Sequence, residues 1–173
     1  MTLSEHPIAD VLVRLDDESS GIGTRSMPFE IVPYDAAHLR ALKLQPMQAE
    51  LGAVIAAGDL AEQVAGSGPA WSVLDHGRPV ACCGLQFPWP GRAIAWAALG
   101  DCGERMLRIT RAARQTFAAC PAERIECHVK DGFEAGARWA TALGFARESF
   151  MPRFYGGEDF WCYVILKEGR SWL

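Results

Sequence analysis

The apolar pattern predicts an α/β (α+β) domain with a mixed, mostly antiparallel sheet flanked by helices, and three observations carry it. AWSVLD and RPVACCGLQF flank His76-Gly77, a tight hairpin signal. Helical spacing separates the other strand-like runs. A strand–helix–strand stretch over 92–130 requires a right-handed crossover and hence one parallel βαβ unit. The 173 residues carry 17 Lys and Arg against 21 Asp and Glu, a net charge of −4, and 50% are hydrophobic. A chain of this size buries roughly 70% of its unfolded surface in one core, which excludes disorder for the bulk. Its mild acidity argues against a wide phosphate-neutralising footprint, so no general nucleic-acid binding is expected.

In the first 27 residues, Ile8, Val11, Leu12 and Leu15 follow the i, i+3, i+4, i+7 pattern, and the loop DDESSGIGTRS follows. They are expected to form an N-terminal arm (1–27) beside a domain over 28–173. FEIVPY (29–34) reads as a strand, with Asp35 as N-cap of the helix AAHLRALKL. A second helical region runs from about Pro46 through Ala65, with Leu51, Val54 and Ile55 on one face and Gly58 interrupting it. After the His76-Gly77 hairpin, Pro88-Trp89-Pro90-Gly91 turns the chain into the strand RAIAWAAL (92–99), giving a three-strand meander. A long helix follows over MLRITRAARQTFAA, with Met106, Leu107, Ile109, Ala113 and Phe117 at helical spacing. RIECHVK (124–130) is a strand, and FEAGARWATALGF is a helix closed by Gly144. ARESFMPRF and DFWCYVILK end the chain as a hairpin around Gly156-Gly157.

No apolar run reaches signal-peptide or membrane-spanning length, so a soluble cytoplasmic chain without membrane partners is expected. The six cysteines (Cys82, Cys83, Cys102, Cys120, Cys127, Cys162) sit mostly in apolar segments and read as reduced core thiols. They show no C-x-x-C and no His at metal spacing, so no metal is expected. Cys102 differs from the rest, because a thiolate at a helix N-terminus is stabilised. Trp89 is expected on a loop.

The informative junction follows Leu99. A strand that passes through a Gly-bearing turn into a helix leaves the first N–H groups of the helix unpaired, with about half a positive charge there. Such a spot suits phosphate or another anion. Gly100 and Gly103 allow close approach of a ligand to the backbone, and Arg105 and Arg108 add charge. Small side chains at Ala93, Ala95, Ala97 and Ala98 fit a close ligand or a covered sheet.

The order of elements, this junction, and ARWATALGFARE with its Gly144-Phe145 resemble the GCN5-related N-acetyltransferase (GNAT) superfamily over about residues 28–168. GPAWSVLDHGRPVACCGL and WPGRAIAWAAL also resemble a phage-encoded branch that includes GNAT-like internal virion proteins. The resemblance implies N-acetyl transfer from acetyl-CoA, as co-substrate, to an amine of a small molecule or protein. It implies that the fourth and fifth strands splay, with the pantetheine arm bonding to the backbone from Ala97 to Leu99. The pyrophosphate would then lie over Cys102, Gly103, Glu104, Arg105 and Met106. The family loop has Gln or Arg, two residues, Gly, one residue, then Gly or Ala; here Gly100 and Arg105 stand at its two ends. The tyrosine that often serves as general acid is Ala140 here, and the asparagine seven residues before it is Phe133.

Acyl transfer to an amine needs a base for the ammonium proton and an acid for the leaving thiolate. RAIAWAAL has no carboxylate, which leaves Glu126 and His128, alternating onto one face of the fifth strand, and Tyr155 in the last hairpin. His128 has the suitable unperturbed pKa. The alternative reading is a catalytically silent GNAT-fold phage structural or virion protein, for which the arm supplies a contact to a second copy or to a phage assembly.

Overall fold

The computed structural model describes residues 29–167, so the expected arm lies outside the described residues. The strands are β1 (Phe29–Pro33), β2 (Ala70–Asp75), β3 (Arg78–Trp89), β4 (Arg92–Leu99), β5 (Arg124–Lys130), β6 (Ala146–Tyr155) and β7 (Glu158–Leu166). The helices are α1 (Ala36–Ala41), α2 (Ala49–Ala57), α3 (Leu60–Gly66), α4 (Met106–Ala119) and α5 (Glu134–Leu143), with 3-10 turns at Pro46–Gln48 and Gly103–Arg105. The strands form one seven-stranded sheet in the order β1-β2-β3-β4-β5-β7-β6. By compactness the described chain divides into two units, one from 29–86 with Ala97–Cys120 and the other from Phe87–Trp96 with 121–167.

In the first unit β1 pairs antiparallel with β2, and β2 with β3. The hairpin turn is the one read from His76-Gly77: both residues have positive φ (50° and 74°), as a type I′ turn requires. Asp35 caps α1 by accepting a hydrogen bond from the Ala37 N–H at 2.8 Å. The helix stops at Ala41, three residues before the sequence pattern does, and residues 42–45 are irregular. The expected break at Gly58 divides α2 from α3. On α4 the buried set is Ile109, Ala112, Thr116 and Phe117. Leu107, expected on the apolar face, is 70% exposed, because it lies on the side of the helix away from Ile109, Ala112 and Thr116.

In the second unit β4 and β5 are parallel, as the crossover rule requires, but their register covers only Arg92–Ile94 against Arg124–Glu126. The expected turn at 88–91 is shorter: Pro88 and Trp89 belong to β3, and Trp89 is 55% exposed with the Arg92 guanidinium 4.4 Å over its ring. Gly144 ends α5 in the left-handed region (φ 101°), and the Phe145 N–H returns to the Ala140 carbonyl at 3.0 Å, a Schellman closure that buries Phe145. Ile125 is completely buried, and full burial of such a side chain contributes about 1.5–3 kcal/mol. β6 forms the outer edge, exposed along nearly its whole length.

Candidate active site

The junction after β4 is built within the first unit. Gly100 donates its N–H to Val80 O at 2.8 Å, and a Cβ there would stand 2.7 Å from Lys43 O and 3.2 Å from Val80 O. Its missing side chain therefore serves chain packing. Gly103 is the conformational glycine, with φ 47° at the start of the 3-10 turn. No side chain caps that turn or α4; within the turn the Arg105 N–H bonds to Cys102 O at 2.9 Å and the Met106 N–H to Gly103 O. Arg105 ion-pairs with Asp75 at 3.0 Å, and Arg108 lies 4.2 Å over the Phe29 ring. Glu104 and Met106 flank Arg105, Glu104 exposed and Met106 half-buried.

Cys102 is buried rather than exposed at the helix end, and its Sγ donates to Val80 O at 3.3 Å. Burial, with Asp101 nearby, pushes its thiol up to about 11, which corrects the expectation of a stabilised thiolate. Burial likewise raises the Cys82 thiol to about 11 and the Cys83 and Cys127 thiols to about 12. All six cysteines carry free thiols, in line with their sequence pattern.

The backbone of Ala97 and Leu99 is engaged from within the chain. Gln48 donates from Nε2 to Ala97 O at 2.8 Å, and its Oε1 accepts the Leu99 N–H at 2.8 Å. Gln45 donates its backbone N–H to Leu99 O at 2.9 Å and its Nε2 to Gln48 Oε1 at 3.1 Å. Elsewhere in this unit a cleft of about 480 Å³ is lined by Leu39, Arg40, Leu42, Ile55, Gly58 and Asp59 among others, with Arg40 held by Glu62.

The candidate proton-transfer groups lie in the second unit. Glu126 is only 4% exposed and takes two guanidiniums: Arg92 Nε at 2.9 Å with its Nη2 alongside, and Arg124 Nε. Burial alone would raise its pKa, but the hydrogen bonds from Arg92 and Arg124 outweigh that and hold the carboxyl below the ordinary range. Arg124 also binds Glu148, Nη1 to Oε1 at 2.9 Å. His128 Nε2 lies 4.0 Å from Glu126 Oε2. Burial lowers the His128 pKa, helped by Arg92 and opposed by Glu126, so the imidazole is neutral at pH 7.

The register shift in β6 between Met151 and Tyr155 includes Arg153, with φ 49°, whose N–H bonds to Asp159 Oδ1 at 2.8 Å. Such an irregularity re-aims side chains, and the Phe154 ring meets the His128 ring at 4.6 Å. Tyr155, next along, is 49% exposed. Ala140 is buried on α5 and offers no proton donor. Phe133 stands at the N-cap of α5, its ring where a Cβ on Gly136 would go.

β5–β7 pairing sets Cys162 opposite His128. One ligand atom each from Glu126, His128 and Cys162 lies within 4.8 Å of the others, a clustering with metal-ligand character that residue spacing does not reveal. With two guanidiniums on the Glu126 carboxylate, a dication at this spot would have to displace them.

No protein-family model matches the chain, and no curated protein matches it significantly. Solved structures do. A probable acetyltransferase from Staphylococcus epidermidis superposes with a TM-score of 0.64 at 11% identity, over 81% of this chain and 99% of that one. A spermidine N-acetyltransferase mutant from Vibrio cholerae gives 0.55 at 13% identity, over 81% and 94%. A ribosomal-protein alpha-N-acetyltransferase, solved in complex with coenzyme A, gives 0.55 at 13% identity, over 82% and 96%. The fold is that of the GNAT acetyltransferases. In this fold the β4–β5 pairing ends at Ile94, and the turn at Gly103–Arg105 leads into α4.

Glu126 and His128 share a face of β5 as read from the sequence, and Tyr155 ends β6. Sequence reasoning missed Gln48, Arg92, Arg124 and Cys162. Gln48 has no local signal, while Arg92 and Arg124 were legible only as the first residues of two strands read as parallel neighbours. Among the described residues, no helix is long and apolar enough to cross a membrane.

Proposed function

We propose that this chain is an N-acyltransferase that moves an acetyl group from acetyl-CoA to an amine of a small molecule or protein. The observation that carries this reading is the end of β4: strand pairing with β5 stops at Ile94, and the chain then runs through Gly103 into an uncapped helix N-terminus. The backbone of Ala97 and Leu99 would take the amides of the pantetheine arm. The turn from Cys102 to Met106 would face the pyrophosphate through the N–H groups left over by its own bonds, Arg105 N–H to Cys102 O and Met106 N–H to Gly103 O, where the partial positive charge of α4 favours an anion. These groups fit a phosphate ester through backbone rather than side chains, since Arg105 is tied to Asp75.

The amine nitrogen attacks the thioester carbonyl, its N–H proton passes to a base, and the C–S bond breaks to release a thiolate that takes up a proton. His128, neutral at pH 7, is suited to the base role, and Glu126, ionised and saturated by two arginines, to positioning it. Tyr155 is the remaining hydroxyl for the acid role. Acyl-CoA and the amine are the partners of this reaction.

The second reading, a GNAT-fold protein without catalysis, draws on the Arg105–Asp75 pair and on Ala140. Calorimetric titration with acetyl-CoA separates the two. Saturable binding is expected; none at millimolar cofactor overturns the enzyme reading.

A further inference from the structure

The segment from Lys43 to Gln48 lies along the end of β4 as a strap. Lys43 O packs where a Gly100 side chain would stand. Gln45 N–H reaches Leu99 O, and the Gln48 carboxamide spans Ala97 O and Leu99 N–H. Because Gly100 N–H turns toward β3 at Val80, strand alternation turns the polar groups of Ala97 and Leu99 to the opposite edge, beyond the last β5 pair at Ile94. A carboxamide that donates to residue i and accepts from residue i+2 copies the N–H and C=O of one residue in an added parallel strand. The edge is therefore an amide-binding edge, and the protein's own amide fills it.

We propose that Gln48 is a tethered occupant of this edge, which the amide-bearing arm of acyl-CoA must displace in order to bind. The proposal rests on the acyl-CoA reading above. The strap is suited to moving because residues 42–45 have no regular structure and the Gln48 bonds are neutral side-chain bonds, each of modest net strength. While Gln48 holds the edge, the binding-competent fraction is small, and the apparent affinity for acyl-CoA falls by that fraction.

The test combines acetyl-CoA calorimetry with amide hydrogen exchange at Leu99, on the wild type, Gln48→Ala and Gln45→Ala, each checked for folding by circular dichroism. Gln45→Ala removes only the brace on Gln48 Oε1 and serves if Gln48→Ala does not fold. In the free proteins Leu99 is expected to exchange at least about tenfold faster in Gln48→Ala than in the wild type, and acetyl-CoA to slow it again. Acetyl-CoA is expected to bind Gln48→Ala about tenfold more tightly, about 1.4 kcal/mol, with Gln45→Ala shifted the same way by less. Equal or weaker binding by the variants, with the wild type binding measurably, overturns the tethered-occupant proposal and leaves the acyl-CoA reading standing. If no protein binds acetyl-CoA while Leu99 is released in Gln48→Ala, the acyl-CoA reading falls and takes the proposal with it.

Discussion

At the end of β4, Ala97 O and Leu99 N–H are closed by the neutral Gln48 carboxamide at the end of a 3-10 turn, and Leu99 O by the Gln45 N–H. On β5, the Glu126 carboxylate is closed by two guanidiniums, one of which continues to Glu148. Both arrangements satisfy polar groups that burial would otherwise penalise, but they differ in how readily they can be exchanged. A neutral amide can be replaced by another amide at little net cost. A buried carboxylate that loses a charged partner has no equivalent substitute. The first region can trade partners and the second keeps them, as the proposed acyl-CoA edge in one and a fixed frame beside His128 in the other would require.

The largest effect that can break this comparison is on chemistry. His128→Gln keeps a polar side chain of similar reach but cannot take up the amine proton at neutral pH, so kcat is expected to fall roughly 10²-fold or more. Steady-state kinetics at pH 8 measures it, and an unchanged kcat would move the base elsewhere.

Glu126→Gln tests the fixed frame. Removing one partner of a buried ion pair costs about 3–5 kcal/mol, and exposure of 26% at Arg92 and 32% at Arg124 reduces the expected loss to about 2 kcal/mol by urea unfolding. The wild type should also carry an acid limb. Because the folded pKa of Glu126 is depressed, its contribution is full above the ordinary 4.5 and is lost as pH falls through the lowered folded value. His128 acts in the same direction at higher pH: its folded pKa is lowered, so stability starts to drop as the unfolded chain takes up a proton near 6.5. Glu126→Gln removes the first limb and leaves the second, and unfolding curves from pH 3 to 8 would show both.

Gly100→Ala sharpens the other side. The added Cβ meets Lys43 O at 2.7 Å and Val80 O at 3.2 Å, so about 2 kcal/mol of stability is expected to be lost as the strap shifts. A loss below about 0.5 kcal/mol would show that the strap already yields freely there.

Most of the fold was legible because it is written in local patterns. The His76-Gly77 turn, the limits of β2, β4 and β5, and the Gly144-Phe145 closure each depend on residues within a few positions of one another. Misreadings arose where the signal was weak: α1 stops early, Leu107 faces solvent, and Pro88 and Trp89 extend β3. The candidate site was half legible. The junction and the shared face of Glu126 and His128 follow from strand alternation, whereas the partners that give those residues their character do not.

The sequence by itself determined the order of elements, the parallel unit and the glycine-bearing turn into α4, because periodicity, turn chemistry and crossover handedness act over short stretches of chain. Only the tertiary structure decided that Gln48 bonds across 49 and 51 residues to Ala97 and Leu99, and that Arg92 meets Glu126 across 34. It also decided that Gly100 serves packing and that Cys102 is a buried thiol. The reason is that a side chain's partner is set by sheet register and by the path of distant loops, and no local propensity encodes either.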